Sequence, residues 1–230
     1  MRTRVAAALV LLLALTAAGV LGYQRGWVRF NYPSASRYPI RGIDVSHHQG
    51  KIDWQKVRAD GVVFAFIKAS EGKDHVDSAF KANWAAAQAA GVRRGAYHFF
   101  TFCSAGAAQA DHFTSTVGPS FGELAPVADV EFVGNCGAAP PDEQIRVELA
   151  VFLQAIERAS GRKPLLYFTS EARRRILDSR FAGYPLFPRS IFGEPVEEGW
   201  AFWQYAANGR VSGVRTLVDL DAFAGAELEP

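Results

Sequence analysis

From residue 41 onward, short apolar runs alternate with amphipathic stretches five times and then stop alternating. No other feature of the chain restricts its fold as strongly. Residues 42–45, 62–69, 95–100, 126–132 and 164–169 are candidate strands; 53–60, 77–90, 105–117, 142–160 and 171–178 are the helices between and after them. The run 62–69 is continuous and rich in apolar residues, as a strand buried on both faces should be. The clearest helix opens at Pro140-Pro141-Asp142, repeats Ile145, Leu149, Phe152, Leu153 and Ile156 at helical spacing, and closes at Gly161. Beyond it, 185–192, 200–206 and 216–220 read as strands joined only by turns and loops. Strand–helix alternation implies parallel strands with right-handed crossovers. The expected fold is therefore α/β, a modified TIM-like barrel of five βα units followed by three further strands.

The 230 residues divide into a leader (1–23), a linker (24–40) and a barrel domain (41–226). After Arg2 and Arg4, the residues from Val5 through Tyr23 carry no charge and span about 28 Å as a helix, close to a bilayer's hydrocarbon thickness. Trp27 beside Arg25 and Arg29 suits a membrane interface. An uncleaved anchor fits this pattern. So does a signal peptide cut near Thr16-Ala17-Ala18. Either way the rest of the chain is expected to be exported, to the periplasm or the cell exterior. The formal charge of +2 is uneven: five arginines and no acid precede residue 40, and the remaining 20 basic residues face 23 acidic ones, a net −3. A mildly acidic domain argues against a nucleic-acid face, and Arg173-Arg174-Arg175 reads as solvated surface. Cys103 and Cys136, the only cysteines, are expected to form a disulfide between loops after successive strands. Two buried thiols are the alternative.

In a barrel of this kind, functional groups gather at the C-terminal ends of the strands. The acids there are Asp44, Glu71, Asp129, Glu131, Asp219 and Asp221. First and last strands are neighbours in a closed barrel, so Asp44 and Asp219 should meet. Asp129 and Glu131, two apart on one strand, project to the same face. A carboxyl held beside another in a partly desolvated pocket has a raised pKa and can serve as a general acid, as glycoside hydrolysis requires. Structural ion pairing is the competing role. Tyr97, Tyr167 and Trp203 are candidate sugar platforms near strand ends, with core packing as the alternative for each. Lys68 and Glu71 either reach the site or pair with each other. His47-His48 lacks a third ligand at metal spacing, and a hydrogen-bonding role beside Asp44 is expected instead. No phosphate loop, zinc signature or nucleophile elbow appears, so neither metal nor cofactor is expected.

The blocks Gly42-Ile43-Asp44-Val45-Ser46-His47-His48-Gln49-Gly50, Ile52-Asp53-Trp54 and Phe66-Ile67-Lys68-Ala69-Ser70-Glu71-Gly72 are followed by Gly95-Ala96-Tyr97-His98-Phe99-Phe100 and Asp129-Val130-Glu131. Trp203-Gln204-Tyr205 and Val218-Asp219-Leu220-Asp221-Ala222-Phe223 complete the series. In this order, over about residues 41–225, the chain resembles the family 25 glycoside hydrolases, the Chalaropsis-type lysozymes. The resemblance implies hydrolysis of the β-1,4 bond between N-acetylmuramic acid and N-acetylglucosamine in peptidoglycan. It makes Glu131 the proton donor and gives Asp129 the task of steadying the substrate's 2-acetamido group or the developing positive charge. Asp44 and Asp219 would position the sugar, with Tyr97, Trp203 and Gln204 in the binding groove. The segment 185–192 lacks the tryptophan that many members carry there, which puts one wall of the groove in question. A monomer is expected. A silent peptidoglycan-binding barrel and a hydrolase of a related N-acetylated polymer such as chitin are the alternatives.

Overall fold

The computed structural model describes residues 2–228. Alternation of strands and helices produces the parallel sheet it should. Five strand–helix pairs come first: β1 (Arg41–Val45) with α2 (Trp54–Ala59), β2 (Phe64–Glu71) with α3 (Phe80–Ala89), β4 (Arg93–Phe99) with α4 (Gly106–Val117), β5 (Val127–Val130) with α5 (Asp142–Ser160), and β6 (Leu165–Phe168) with α6 (Ser170–Arg175). Then β7 (Leu186–Pro188), β8 (Phe202–Gly209) and β9 (Val218–Phe223) follow without α-helices between them. A two-residue strand, β3 (His75–Val76), pairs with the end of β2 and has no counterpart in the sequence pattern. The β5 and β7 strands are shorter than their apolar runs, and β9 begins and ends later than residues 216–220.

The sheet runs β7-β6-β5-β4-β2-β1-β9-β8, and β1 and β9 are antiparallel neighbours. Parallel bridges Leu186–Trp200 and Arg189–Gln204 bring β7 against β8, so the sheet nearly closes on itself. Side chains alternate across each strand, and the two faces form two apolar clusters. The outer one joins Ile43, Ile67, Val130 and Phe168 to the buried stripe of α5, Ile145, Leu149, Phe152, Leu153 and Ile156. The inner one interlocks Phe64, Phe66, Phe187 and Phe202, with ring centroids 5.0–5.8 Å apart. Gly42 and Gly95 make room for this plug, since a Cβ on either would overlap the ring of Phe64 or Phe66.

Helix α1 (Arg2–Gln24) meets the barrel at its C-terminal end; it is long and apolar enough to cross a membrane and is almost wholly unburied. Residues 25–40 run along the barrel. Tyr38 lies on Trp200 and Trp203, with centroids 5.5 and 5.7 Å away, and donates a hydrogen bond of 2.6 Å to Glu194. Cys103 and Cys136 form a disulfide, Cα atoms 6.2 Å apart, joining the loops after β4 and β5.

Candidate active site

A groove of about 440 Å³ opens at the C-terminal ends of the parallel strands, within the usual size range of small-molecule sites. It is built from the inward-facing residues that lie beyond the phenylalanine plug. The strand β1 supplies Asp44, which stands opposite Asp219 of β9 in the antiparallel register. From β5 and the residue that follows it come Asp129 and Glu131. Their i, i+2 spacing puts both on the groove side, while Val130 between them is buried in the outer layer. Tyr97, Tyr167, Gln204, Lys68 and Glu71 also line the groove.

Hydrogen bonds order this set. The Tyr167 hydroxyl donates to Gln204 Oε1 at 2.9 Å, and Gln204 Nε2 donates to Asp44 Oδ2 at 2.7 Å. Lys68 and Glu71 line the groove, and Lys68 Nζ pairs with Glu71 at 2.7 Å. Asn135 clamps the Glu131 loop, with Nδ2 donating to Glu131 O at 2.9 Å and Phe100 O at 3.0 Å. Asp129 Oδ1 is buried and has no hydrogen-bond partner among the described residues.

The carboxyls share one electrostatic condition. Burial lifts Asp129 well above the usual carboxylate range, and the charges of Glu131 and Asp44 push it further. For Asp44, burial acts first and Asp219 second, against the hydrogen bond from Gln204. Glu131 is raised by burial although Arg189 and Lys68 pull it down. Asp219 rises to about 6 by burial, with Arg189 opposing. Desolvation and mutual repulsion both disfavour the charged forms, so the group retains protons where isolated carboxyls would have lost them, and these titrate as a set. Beneath it Asp221 is fully buried, with both carboxyl oxygens unpartnered among the described residues, and burial and Asp44 hold its pKa well up.

Two expectations need correction. Trp203 is not a sugar platform: it is 1% exposed, faces the outer layer, and donates its indole N–H to Ser190 O at 2.9 Å. Gln204 faces the groove, and adjacent residues on a regular strand point to opposite sides, so Trp203 cannot share its direction. His47 bonds to Asp77, and none of its hydrogen bonds among the described residues goes to Asp44. Its Nδ1 lies 2.7 Å from Asp77 Oδ2, and only His48 of the pair lines the groove. The residue that the sequence reading missed is Arg189. It follows β7 two positions after the inward-facing Phe187 and lines the groove as a cation among the acids. That i+2 relation was the available signal.

Residues 43–214 match the model of the glycosyl hydrolases family 25. The chain belongs to this family. Among solved structures, a family 25 glycosyl hydrolase from Bacillus anthracis superposes with a TM-score of 0.80 at 37% identity, covering 87% of this chain and 94% of that one. Among curated relatives, lysozyme M1 of Streptomyces globisporus is 36% identical over 200 residues, 81% of this chain and 68% of its own length. The Escherichia coli O157:H7 protein YegX is 38% identical over 200 residues, 84% of this chain and 72% of its own. In this family 25 hydrolase, then, Asp129 and Glu131 line the groove at the end of β5.

Proposed function

We propose that this family 25 hydrolase is a muramidase that cleaves the β-1,4 bond between N-acetylmuramic acid and N-acetylglucosamine, with Glu131 as the proton donor. The observation that carries the reading is the pair Asp129 and Glu131, side by side on the groove face above an aromatic floor, both with raised pKa. A similar lysozyme, M1, supports the substrate. In the reaction Glu131 passes its proton to the glycosidic oxygen as the bond from that oxygen to the anomeric carbon breaks, and the bonding pair leaves with the oxygen. Water then supplies the oxygen that bonds to the anomeric carbon, and its released proton restores Glu131. Asp129, whose Oδ1 awaits a partner, steadies the 2-acetamido group or the positive charge that develops on the sugar. Asp44, Asp219 and Gln204 hold the sugar, and the rings of Tyr97 and Tyr167 offer it apolar surface. Helix α1 serves as an uncleaved anchor that keeps the exported, monomeric enzyme at a membrane.

Digestion of purified peptidoglycan, followed by identification of the new reducing end, tests the substrate. N-acetylmuramic acid is expected; N-acetylglucosamine ends would overturn the bond assignment. Replacing Glu131 with Gln keeps the shape and removes the proton, so kcat should fall by about a thousandfold, in the middle to upper part of the range for lost general acids. Near-normal clearing of a cell-wall suspension by that variant would refute the role. Binding of the wild-type protein without any clearing would make the barrel a scaffold.

A further inference from the structure

Among the described residues no α-helix follows β7, β8 or β9, and the chain from the end of α1 to the start of β1 covers part of their outer face. Tyr38 packs on Trp200 and Trp203, and Arg41 lies over Tyr205, 5.1 Å from its centroid. Arg37 pairs with Glu194 at 2.9 Å. Nearer α1, Asn208 Nδ2 donates to Tyr23 O at 2.8 Å and Val28 O at 3.0 Å, while Arg210 Nε donates to Arg25 O at 2.6 Å. Gly26, at φ +68°, is seated so closely that a Cβ would meet Asn208 O and Leu217. The junction between helix and barrel is thus a set of directed contacts, unlike a flexible tether.

The strand register gives the level of this junction. Gly209 pairs with Val218, and the next residue of β9, Asp219, pairs with Asp44. Asn208 and Arg210 therefore stand at the height of the groove's carboxylates, at the end of the barrel where the groove opens. Phe192, in the loop that leaves β7 at the same end, is 77% exposed and packs on Phe30, centroids 5.1 Å apart. Phe30 in turn packs on Tyr23 at 4.8 Å. Trp27 is 62% exposed, with Arg25 5.8 Å from its ring, and Arg29 lies 4.7 Å over Tyr32. Exposed aromatics interleaved with arginines at the foot of an unburied apolar helix have the chemistry of a bilayer interface, where rings sit at headgroup level and guanidinium groups meet lipid phosphates.

We propose that Trp27, Phe30, Tyr32 and Phe192 form a lipid-facing seat that holds the barrel directly against the membrane surface, with the rim of the groove on the membrane side. The inference rests on α1 being an uncleaved anchor. It adds that the enzyme addresses glycan strands close to the bilayer, because no free linker lets the groove travel outward.

The test uses the full chain in phosphatidylethanolamine–phosphatidylglycerol vesicles whose acyl chains carry bromine near the headgroups. An environment-sensitive maleimide is placed at Phe192→Cys or, on the opposite end of the barrel, at the exposed end of α3, Ala89→Cys. The native cysteines are bridged and take no label. Severalfold stronger quenching at 192 than at 89 is expected, together with flotation of both proteins with the vesicles. A further variant, Asn208→Ala with Phe30→Ser, should still float while losing most of the quenching at 192. Failure to float would overturn the anchor, and the seat with it. Flotation with equal quenching at both positions would leave the anchor standing and overturn the seat alone. Emission at 192 that tracks protein concentration and not bromine would assign the patch to a second copy of the chain, and would overturn the proposal.

Discussion

The two ends of the barrel interior are made by the same strands and have opposite chemistry. Following the inward positions upward, β1 passes from Gly42 to Asp44, β2 from Phe64 and Phe66 to Lys68, and β5 from Val127 to Asp129 and then Glu131. In β7 and the loop beyond it Phe187 gives way to Arg189, and in β8 Phe202 gives way to Gln204. The lower end is a plug of interlocked phenylalanine rings, with the buried Asp221 beside it. The upper end is a ring of carboxyls in an open groove. Burial is the first cause of every raised pKa in the ring and of that of Asp221 below it, and the plug closes the ring's lower side. Fold and acid chemistry are coupled through one layer of side chains.

This contrast can be broken from either end. Replacing Asp129 with Asn should lower kcat at least about a hundredfold with little change in KM, since the group is proposed to act on charge that exists only in the transition state. Steady-state kinetics on solubilised glycan check this, and an effect confined to KM would contradict it. From the lower end, Phe66→Ala should cost about 3–5 kcal/mol of stability by opening a cavity, measured by urea unfolding. It should also shift the pH profile. Water admitted below the acids favours their charged forms and lowers their pKa; the donor must be protonated to act, so activity should be lost at lower pH than in the wild type. Stability lost without any movement of the alkaline limb would separate plug from chemistry.

The disulfide tests whether the rim needs its own support. Reduction, or Cys103→Ser with Cys136→Ser, should cost about 2–4 kcal/mol and loosen the loop on which Asn135 holds Glu131. The smallest effect expected is a gain. Asp219 binds its proton more tightly in the folded chain, at about 6 against an ordinary 3.8. The folded state therefore loses relative stability as pH rises through that interval. Asp219→Asn should accordingly raise the melting temperature at pH 7 by a few degrees, on the order of 1–3 kcal/mol. The difference should vanish near pH 4, and activity should drop.

Much of this was legible beforehand. Five strand–helix units and three closing strands follow from periodicity and punctuation, and Asp129 with Glu131 share a face because two residues make one strand period. The meeting of Asp44 and Asp219 followed from closure alone. A strand end and the family resemblance both point Trp203 at the groove together with its neighbour Gln204, and a regular strand cannot turn both inward. Arg189 is a lone basic residue in 185–192 with no motif around it, and only its spacing of two from Phe187 marks it as inward. The stretch 24–40, read as a linker, gave no hint of its contacts with β8 and the loop after β7, since those partners lie more than 150 residues away.

The chain alone determined which residues alternate together and where helices begin and end, because these are local consequences of backbone geometry and side-chain order. It could not say which of two alternating sets faces the barrel interior and which lies under helices or stalk, since both are apolar over long stretches. Only the closed sheet decided that, and with it the desolvation of the acids, because burial is a property of everything that surrounds a group and not of its neighbours in sequence.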